Sequence, residues 1–106
     1  MSKYRAVRTE FDGQWFDSKK EAGRYAELRM LERSGIIQNL KRQQSFNLDV
    51  QGVHICRYVA DFTYEDLQGR LVVEDVKGMK AGAAYTMFNL KCRLMLACHA
   101  LRVVEI

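Results

Sequence analysis

Apolar residues, many of them β-branched or aromatic, dominate two neighbouring stretches in the middle of the chain. The first stretch is ICRYVADFTY over 55–64 and the second is RLVVEDVK over 70–77, with EDLQG between them. Short runs of such residues between turn signals are typical of buried strands. The short, glycine-containing connection predicts that the two strands pair as an antiparallel hairpin.

A helical pattern precedes these strands. Ser18 is a good N-cap, and Glu21 follows it at the spacing of a capping box. Gly35 is placed to end the helix, because glycine readily adopts the left-handed conformation that follows a last turn. The apolar positions between these two ends recur at helical spacing and are Ala22, Tyr25, Leu28 and Leu31.

The remaining pattern completes one mixed α+β architecture. Residues 5–16 contain Asp12-Gly13 and predict an N-terminal β-hairpin, and 36–49 is expected to form a strand. A helix over about 83–99 and a last strand over 101–106 complete the order. This order predicts the α/β class, here an α+β mixed sheet, as a single domain over residues 1–106. Three aromatic residues are expected in its core: Trp15, Phe16 and Tyr25.

Composition and charge narrow the class of protein. The net charge of +4 is compatible with a polyanionic partner but does not establish one. No apolar run reaches the roughly 20 residues of a membrane span, and the first residues lack a signal peptide's apolar stretch, so a cytoplasmic protein without membrane contacts is expected. The cysteines and histidines are too irregularly spaced for a zinc cage and give little support to a metal-binding regulator: Cys56, Cys92, Cys98, His54 and His99.

Charged residues interrupt the apolar pattern of the central hairpin. If the turn is centred on Gln68, Phe62 faces Glu74 and Asp61 faces Asp75. Side chains alternate between the two faces of a strand, so Asp75 and Lys77 point the same way and Glu74 points the other way, toward solvent or a helix. The register therefore predicts two carboxylates side by side with a lysine next to them.

This acidic pair has two explanations. Two carboxylates at such a distance repel each other unless a cation lies between them, and oxygen ligands are those that Mg²⁺ prefers. A solvated ion pair between Asp75 and Lys77 on a wet strand face is the structural alternative. The spacing alone leaves both open.

At these residues the sequence resembles the PD-(D/E)XK nuclease superfamily, and in particular its small phage and prophage members. The resemblance lies in VADF with Asp61 and in EDVKG with Asp75, Val76 and Lys77, within a layout that begins with FDG and FDSKKEA. It extends from about residue 3 to the C-terminus. Two departures are Ala60 in place of the signature proline and an aspartate in place of the commoner glutamate at 75.

The resemblance implies a fold, a cofactor and a catalytic set. The fold would be a restriction-endonuclease-like core, a central mixed sheet flanked by helices. Asp61, Asp75 and the backbone carbonyl of Val76 would bind Mg²⁺, with Mn²⁺ as a substitute, and Lys77 would activate water and stabilise charge on the phosphate. Glu21 matches the acid that many members use to hold the metal, often through water, but helix capping explains it equally simply.

The function implied is a Mg²⁺-dependent DNA endonuclease that is selective for branched DNA of the Holliday-junction type. Its partners would be structured DNA, a second copy in a homodimer and other phage DNA-processing proteins, in a bacterial host cytoplasm. The alternative is a non-catalytic DNA-binding accessory protein that retains the fold. Candidates for contacts with DNA are Lys19, Lys20, Arg24, Lys41, Arg42, Gln43, Lys80 and Lys91.

Overall fold

The computed structural model describes residues 7–106, so residues 5 and 6 of the predicted hairpin lie outside the described part. The strands are β1 (Thr9–Phe11), β2 (Gln14–Phe16), β3 (Gln38–Val50), β4 (Val53–Glu65), β5 (Leu71–Asp75) and β6 (Val103–Glu105), and the helices are α1 (Lys19–Arg33) and α2 (Ala83–His99). β1 and β2 form a separate antiparallel hairpin, and the other strands form one sheet in the order β3-β4-β5-β6. Because β6 runs parallel to β5 and the other pairs are antiparallel, the sheet is mixed, which confirms the predicted α+β class.

Both ends of α1 lie where the sequence predicts them. The Ser18 hydroxyl accepts a hydrogen bond of 3.1 Å from the backbone N–H of Glu21. At the other end Gly35 has φ of +78°, and the N–H groups of Gly35 and Ile36 donate to the carbonyls of Glu32 and Leu31 at 3.0 Å. These two bonds form a Schellman motif, which satisfies the last carbonyls of the helix.

The central hairpin has the predicted register. Phe62 pairs with Glu74 and Tyr64 with Val72. β6 then holds the end of β5, because the Ile106 N–H donates to the Asp75 carbonyl at 2.9 Å. The chain that leaves β5 is therefore fixed from both sides, by β4 and by the C-terminal strand.

The two helices cover opposite faces of β5. Val73, which is 1% exposed, belongs to an apolar cluster with Phe88 and Met95 of α2. The next residue, Glu74, is bound by Arg24 of α1. Adjacent residues of a strand point to opposite faces, so the sheet is flanked by a helix on each side at this strand.

The aromatic residues of the N-terminal hairpin correct one prediction. Phe16 and Tyr25 lie in the core with Phe62, at 1% and 6% exposure. Trp15 is 55% exposed, with the guanidinium of Arg8 5.0 Å from the centre of its ring. The prediction for Trp15 was wrong because β2 alternates: Phe16 takes the inward position and its neighbour must face outward.

No helix within residues 7–106 is both long and apolar enough to cross a membrane.

Candidate active site

Asp61 and Asp75 of the central hairpin line a cleft. It has a volume of about 830 Å³ and lies between the N-terminus of α1, strand β4, the end of β5 and the first half of α2. The cleft exists because the pairs between β4 and β5 end at Phe62 and Glu74. Beyond them the chain turns away, which opens a space beside β4.

Asp61 and Asp75 lie together at this point. Asp75 is 4% exposed, and Asp61 is half-buried, with its Oδ2 accepting a 2.8 Å hydrogen bond from the backbone N–H of Val76. Burial, and then the neighbouring Asp75, raise the pKa of Asp61 to about 7. The Val76 N–H and the nearby Lys77 both lower the pKa of Asp61. Because that pKa is still raised, these two groups do not fully offset the negative charge of the pair at neutral pH.

Lys77 is held beside the pair. Its Nζ lies 3.2 Å from Oδ2 of Asp75 and 4.1 Å from the centre of the Phe88 ring. Its backbone is fixed at two points, since its N–H donates to the Ile106 carbonyl at 3.4 Å and its carbonyl accepts from Nζ of Lys20 at 2.8 Å. Asp75 and Lys77 therefore share one side of the chain, as the alternation predicts.

Glu74 points away from the cleft and has a structural partner. It is 1% exposed, and its carboxylate receives two hydrogen bonds from the Arg24 guanidinium, at 2.8 and 2.6 Å. The Tyr64 hydroxyl donates to the same carboxylate. Of the two orientations expected for Glu74, the structure has the helix-facing one. The acid that can act in the cleft is Asp75, and Glu74 fastens α1 to the sheet.

Glu21 lines the cleft from α1. It is 5% exposed, and its Oε2 lies 3.4 Å from Nη2 of Arg42. Burial, and then the charges of Asp61 and Asp17, raise the pKa of Glu21, while Arg42 lowers it. Within residues 7–106 its carboxylate makes no bond back to the Ser18 N–H, so only the first half of the capping box is formed. Capping therefore does not account for this side chain, whose pKa responds to the charge of Asp61.

Tyr58 adds a polar group that the sequence did not single out. The residue is 3% exposed and lines the cleft, and its buried hydroxyl interacts with the Asp75 side chain without a well-aligned hydrogen bond among the described residues. Burial and the nearby Asp75 charge raise its pKa, so the hydroxyl stays protonated. It is a donor available to the site. The signal in the sequence was weak, because a tyrosine in a strand is usually core.

Two of the predicted DNA contacts, Lys20 and Lys91, line the cleft. They belong to α1 and α2 and so stand on different walls. Arg57, from β4, also lines it and was missed. The sequence offered only its place in an alternating strand, where an exposed arginine is ordinary.

Two other predicted DNA contacts are already used within the protein. Arg24 binds Glu74, and Arg42 lies between Glu21 and Phe16, with its guanidinium carbon 3.8 Å from the centre of the aromatic ring. Both side chains are more than three-quarters buried, at 21% and 20% exposure. They stabilise the packing of α1 on the sheet and hold the acidic residues in place.

The last predicted DNA contacts lie outside the cleft lining. Lys80 Nζ is 3.1 Å from a carboxylate oxygen of Glu105. Lys19, Lys41 and Gln43 are exposed, and Lys41 borders a separate cavity of about 160 Å³. The structure therefore brings together the predicted acids, Lys77, Lys20 and Lys91, and leaves the others apart.

The donor set of the pair can be compared with the needs of a metal. Within residues 7–106, no group of three or more His, Cys, Asp or Glu side chains is arranged to hold one. The adjacent carboxylates of Asp61 and Asp75 and the Val76 backbone carbonyl are oxygen donors, which fit a hard cation. Mg²⁺ is commonly held by one or two carboxylates and keeps several waters, so the residues present fit it without a third acid.

Comparison with known proteins identifies a family but no activity. No curated protein and no solved structure matches the chain. One family model, described as "Protein of unknown function (DUF1064)", matches residues 1–102. The match covers nearly all of the sequence, including every residue of the cleft. The chain therefore belongs to the DUF1064 family.

Proposed function

We propose that this chain is a metal-dependent DNA endonuclease of the PD-(D/E)XK type, with Asp61, Asp75 and Lys77 as its working residues. The observation that carries the proposal is the carboxylate pair beside a fixed lysine in the lining of a cleft. Burial and a neighbouring acid raise the pKa of Asp61 to about 7. Carboxyl groups with a pKa shifted in this way are common at functional sites, whereas in a purely structural role the shift only costs stability. The resemblance of VADF and EDVKG to the signature of that superfamily supports the same assignment.

Each residue has a role that follows from its contacts. Asp61 and Asp75, with the Val76 carbonyl, would hold Mg²⁺ or Mn²⁺, and Glu21 would add negative charge from α1. Bound Mg²⁺ supplies a Lewis acid that offsets charge on a phosphodiester. Lys77 presents an ammonium group from a backbone fixed by Ile106 and Lys20, so it can orient water and stabilise charge on the phosphate.

The substrate we propose is branched DNA. The elements within residues 7–106 form one sheet with two helices and an N-terminal hairpin, without a separate sequence-reading module among them, which favours recognition of shape. The chain's net charge of +4 suits a polyanion. A homodimer, other phage DNA-processing proteins as partners and a bacterial host cytoplasm belong to the same proposal and rest on the resemblance.

The proposal is tested with purified protein on labelled four-way junction, linear duplex, single-stranded and supercoiled DNA. Each substrate is incubated with Mg²⁺, Mn²⁺ or EDTA. We expect metal-dependent cutting that favours the junction and is lost in Asp75→Ala. If no substrate is cut with either metal, the protein is not this enzyme.

The second candidate is a DNA-binding accessory protein without catalysis. It is favoured by the contact of the Glu21 carboxylate with Arg42, which engages the acid that a three-carboxylate site would use. Binding of DNA with equal affinity by wild type and Asp75→Ala, and cutting by neither, would establish it.

A further inference from the structure

The walls of the cleft combine free cations with exposed apolar side chains. Arg57 on β4 and Lys91 on α2 both line it, and neither has an ion-pair or side-chain hydrogen-bond partner within residues 7–106. Met79 and Met87 line it as well, with 43% and 51% of their surface exposed. Because Met79 and Met87 are this exposed, they do not belong to the core, and their apolar surface forms part of the cleft wall.

The cationic side chains of the cleft differ in the partners that they already contact. Lys77 contacts Asp75, and Lys20 donates to the Lys77 carbonyl, so both stabilise the acidic pair. Arg57, from β4, and Lys91, from α2, line the same cleft and are available for an anion. A ligand with negative charge at two separated points suits them, whereas a single small anion would need only one.

The apolar part of the wall indicates a ligand with apolar groups as well as negative charge, because a purely charged ligand would leave these side chains without contacts. Phe88 and Tyr58 are buried in its floor, and Met79 and Met87 extend it to the solvent. Flat, apolar groups stack on aromatic and thioether side chains. A double helix keeps its bases stacked inside and presents phosphates and groove edges, so such a wall would gain little from it.

We propose that the cleft binds one unpaired strand of nucleic acid, with Arg57 and Lys91 on its phosphates and Met79 and Met87 against its bases. This rests on the proposed function and deepens it, because it names the part of a branched substrate that enters the site. The cleft volume of about 830 Å³ lies within the range of about 300–1,000 Å³ of pockets that enclose small ligands, which suits a few unpaired nucleotides. The remaining duplex arms would lie outside.

The inference is tested by binding rather than by cutting. All proteins carry Asp61→Asn, which removes one carboxylate but keeps an oxygen that can accept from the Val76 N–H, and EDTA is present throughout. Fluorescence anisotropy is measured with a labelled oligothymidine and with a duplex of the same length, at several salt concentrations. We expect the single strand to bind at least tenfold more tightly than the duplex.

Two substitutions identify the phosphate contacts. Arg57→Gln and Lys91→Gln should each weaken single-strand binding about tenfold at low salt and reduce the slope of log K against log salt by about 0.7, the value for one phosphate on a single strand. The matched control is Arg93→Gln, an exposed arginine on α2 that does not line the cleft, and it should change neither quantity. Met87→Ser should weaken binding and leave the slope unchanged, because it removes an apolar contact.

Several results would overturn the inference. Duplex that binds as tightly as single strand, or Arg57→Gln behaving like Arg93→Gln, would exclude it, as would no binding to either nucleic acid. A failure of the proposed function looks different: single-strand binding with the expected slopes persists, but wild type cuts nothing with Mg²⁺ or Mn²⁺. Cutting of intact duplex by wild type and Arg57→Gln alike would leave the nuclease and remove the unpaired-strand site. A ribonucleotide strand that binds equally would extend the ligand to RNA.

Discussion

The Asp61 carboxylate accepts a hydrogen bond of 2.8 Å from the backbone N–H of Val76, the residue directly after Asp75. This bond joins β4 to the chain that leaves β5, at the point where the pairing of the two strands ends. It brings the two aspartates together in the lining of the cleft. The arrangement places like charges side by side, and its consequences can be measured.

The first prediction concerns the pH dependence of stability. The pKa of Asp61 is raised to about 7, so the folded protein binds more protons than the unfolded chain between about pH 4 and 7. Stability must therefore fall as pH rises through that range. Asp61→Asn removes the effect and keeps an acceptor for the Val76 N–H, so at pH 8 it should be more stable than wild type by about 1–2 kcal/mol.

Urea denaturation of both proteins from pH 4 to 8 measures the difference between them. The gain from Asp61→Asn should grow up to about pH 7 and then level off. Asp66→Asn is the control: the contacts of Asp66 with Arg70 lower its pKa, so its removal should not stabilise the protein at neutral pH. A gain for Asp61→Asn that is independent of pH would contradict the assignment of the charge.

The second prediction concerns the buried pair of Glu74 and Arg24. Removal of one member leaves the other charge buried, so Arg24→Met should destabilise the protein by about 2–4 kcal/mol. The pair of Arg29 and Glu32 on the same helix is less buried, with 32% and 25% of the side chains exposed, and gives the comparison: Arg29→Met should cost less, about 0.5–1 kcal/mol. If urea denaturation gives the same loss of unfolding free energy for both variants, the pair of Glu74 and Arg24 does not anchor α1 to the sheet.

The third prediction concerns metal binding. Mg²⁺ at about 100 times its Kd stabilises a protein by about 2.7 kcal/mol, so Mg²⁺ should raise the Tm of wild type. The effect should be greater at pH 8 than at pH 6, because Asp61 must lose its proton to bind a cation. Differential scanning fluorimetry measures the shift. Asp75→Asn should abolish it and Asp66→Asn should not; a shift that survives Asp75→Asn would place the cation elsewhere.

The fourth prediction concerns the Tyr58 hydroxyl. The hydroxyl is buried, has no well-aligned hydrogen bond within residues 7–106 and interacts only weakly with Asp75, so Tyr58→Phe should change stability by no more than about 1 kcal/mol. If the hydroxyl serves the site, cleavage should fall in the same variant. Thermal denaturation and the junction assay, run on one preparation, separate the two effects. A loss of more than about 1 kcal/mol would mean that the hydroxyl is satisfied in the folded protein.

Local patterns predicted the elements and the central register. Ser18 and Gly35 mark the ends of α1 through bonds made within a few residues, and the hairpin register of Phe62 with Glu74 follows from the symmetry of a short connection. Such features depend on neighbours in sequence. They are accessible to pattern analysis for that reason.

The features that the sequence did not predict involve residues far apart in the chain. Arg24 and Glu74 are separated by 50 positions, and only the packing of α1 on the sheet makes them partners. Glu21 is turned toward Arg42 by the same packing, although its local spacing predicted a capping box. Arg57 lines the cleft because the pairing of β5 with β4 ends at Phe62 and does not extend to Arg57. The residue pattern of β4 alone does not indicate where that pairing ends.

The central claim is that the pair of Asp61 and Asp75 with Lys77 cleaves DNA, and the single-turnover rate of cutting a labelled four-way junction with Mg²⁺ tests it most directly. Lys77→Gln is compared with Lys80→Gln, a matched change at a lysine that pairs with Glu105 outside the cleft lining. We predict that Lys77→Gln and Asp75→Asn each slow cutting at least a hundredfold while the junction is still bound, and that Lys80→Gln cuts at close to the wild-type rate. Cutting by Lys77→Gln at the rate of Lys80→Gln would contradict the account.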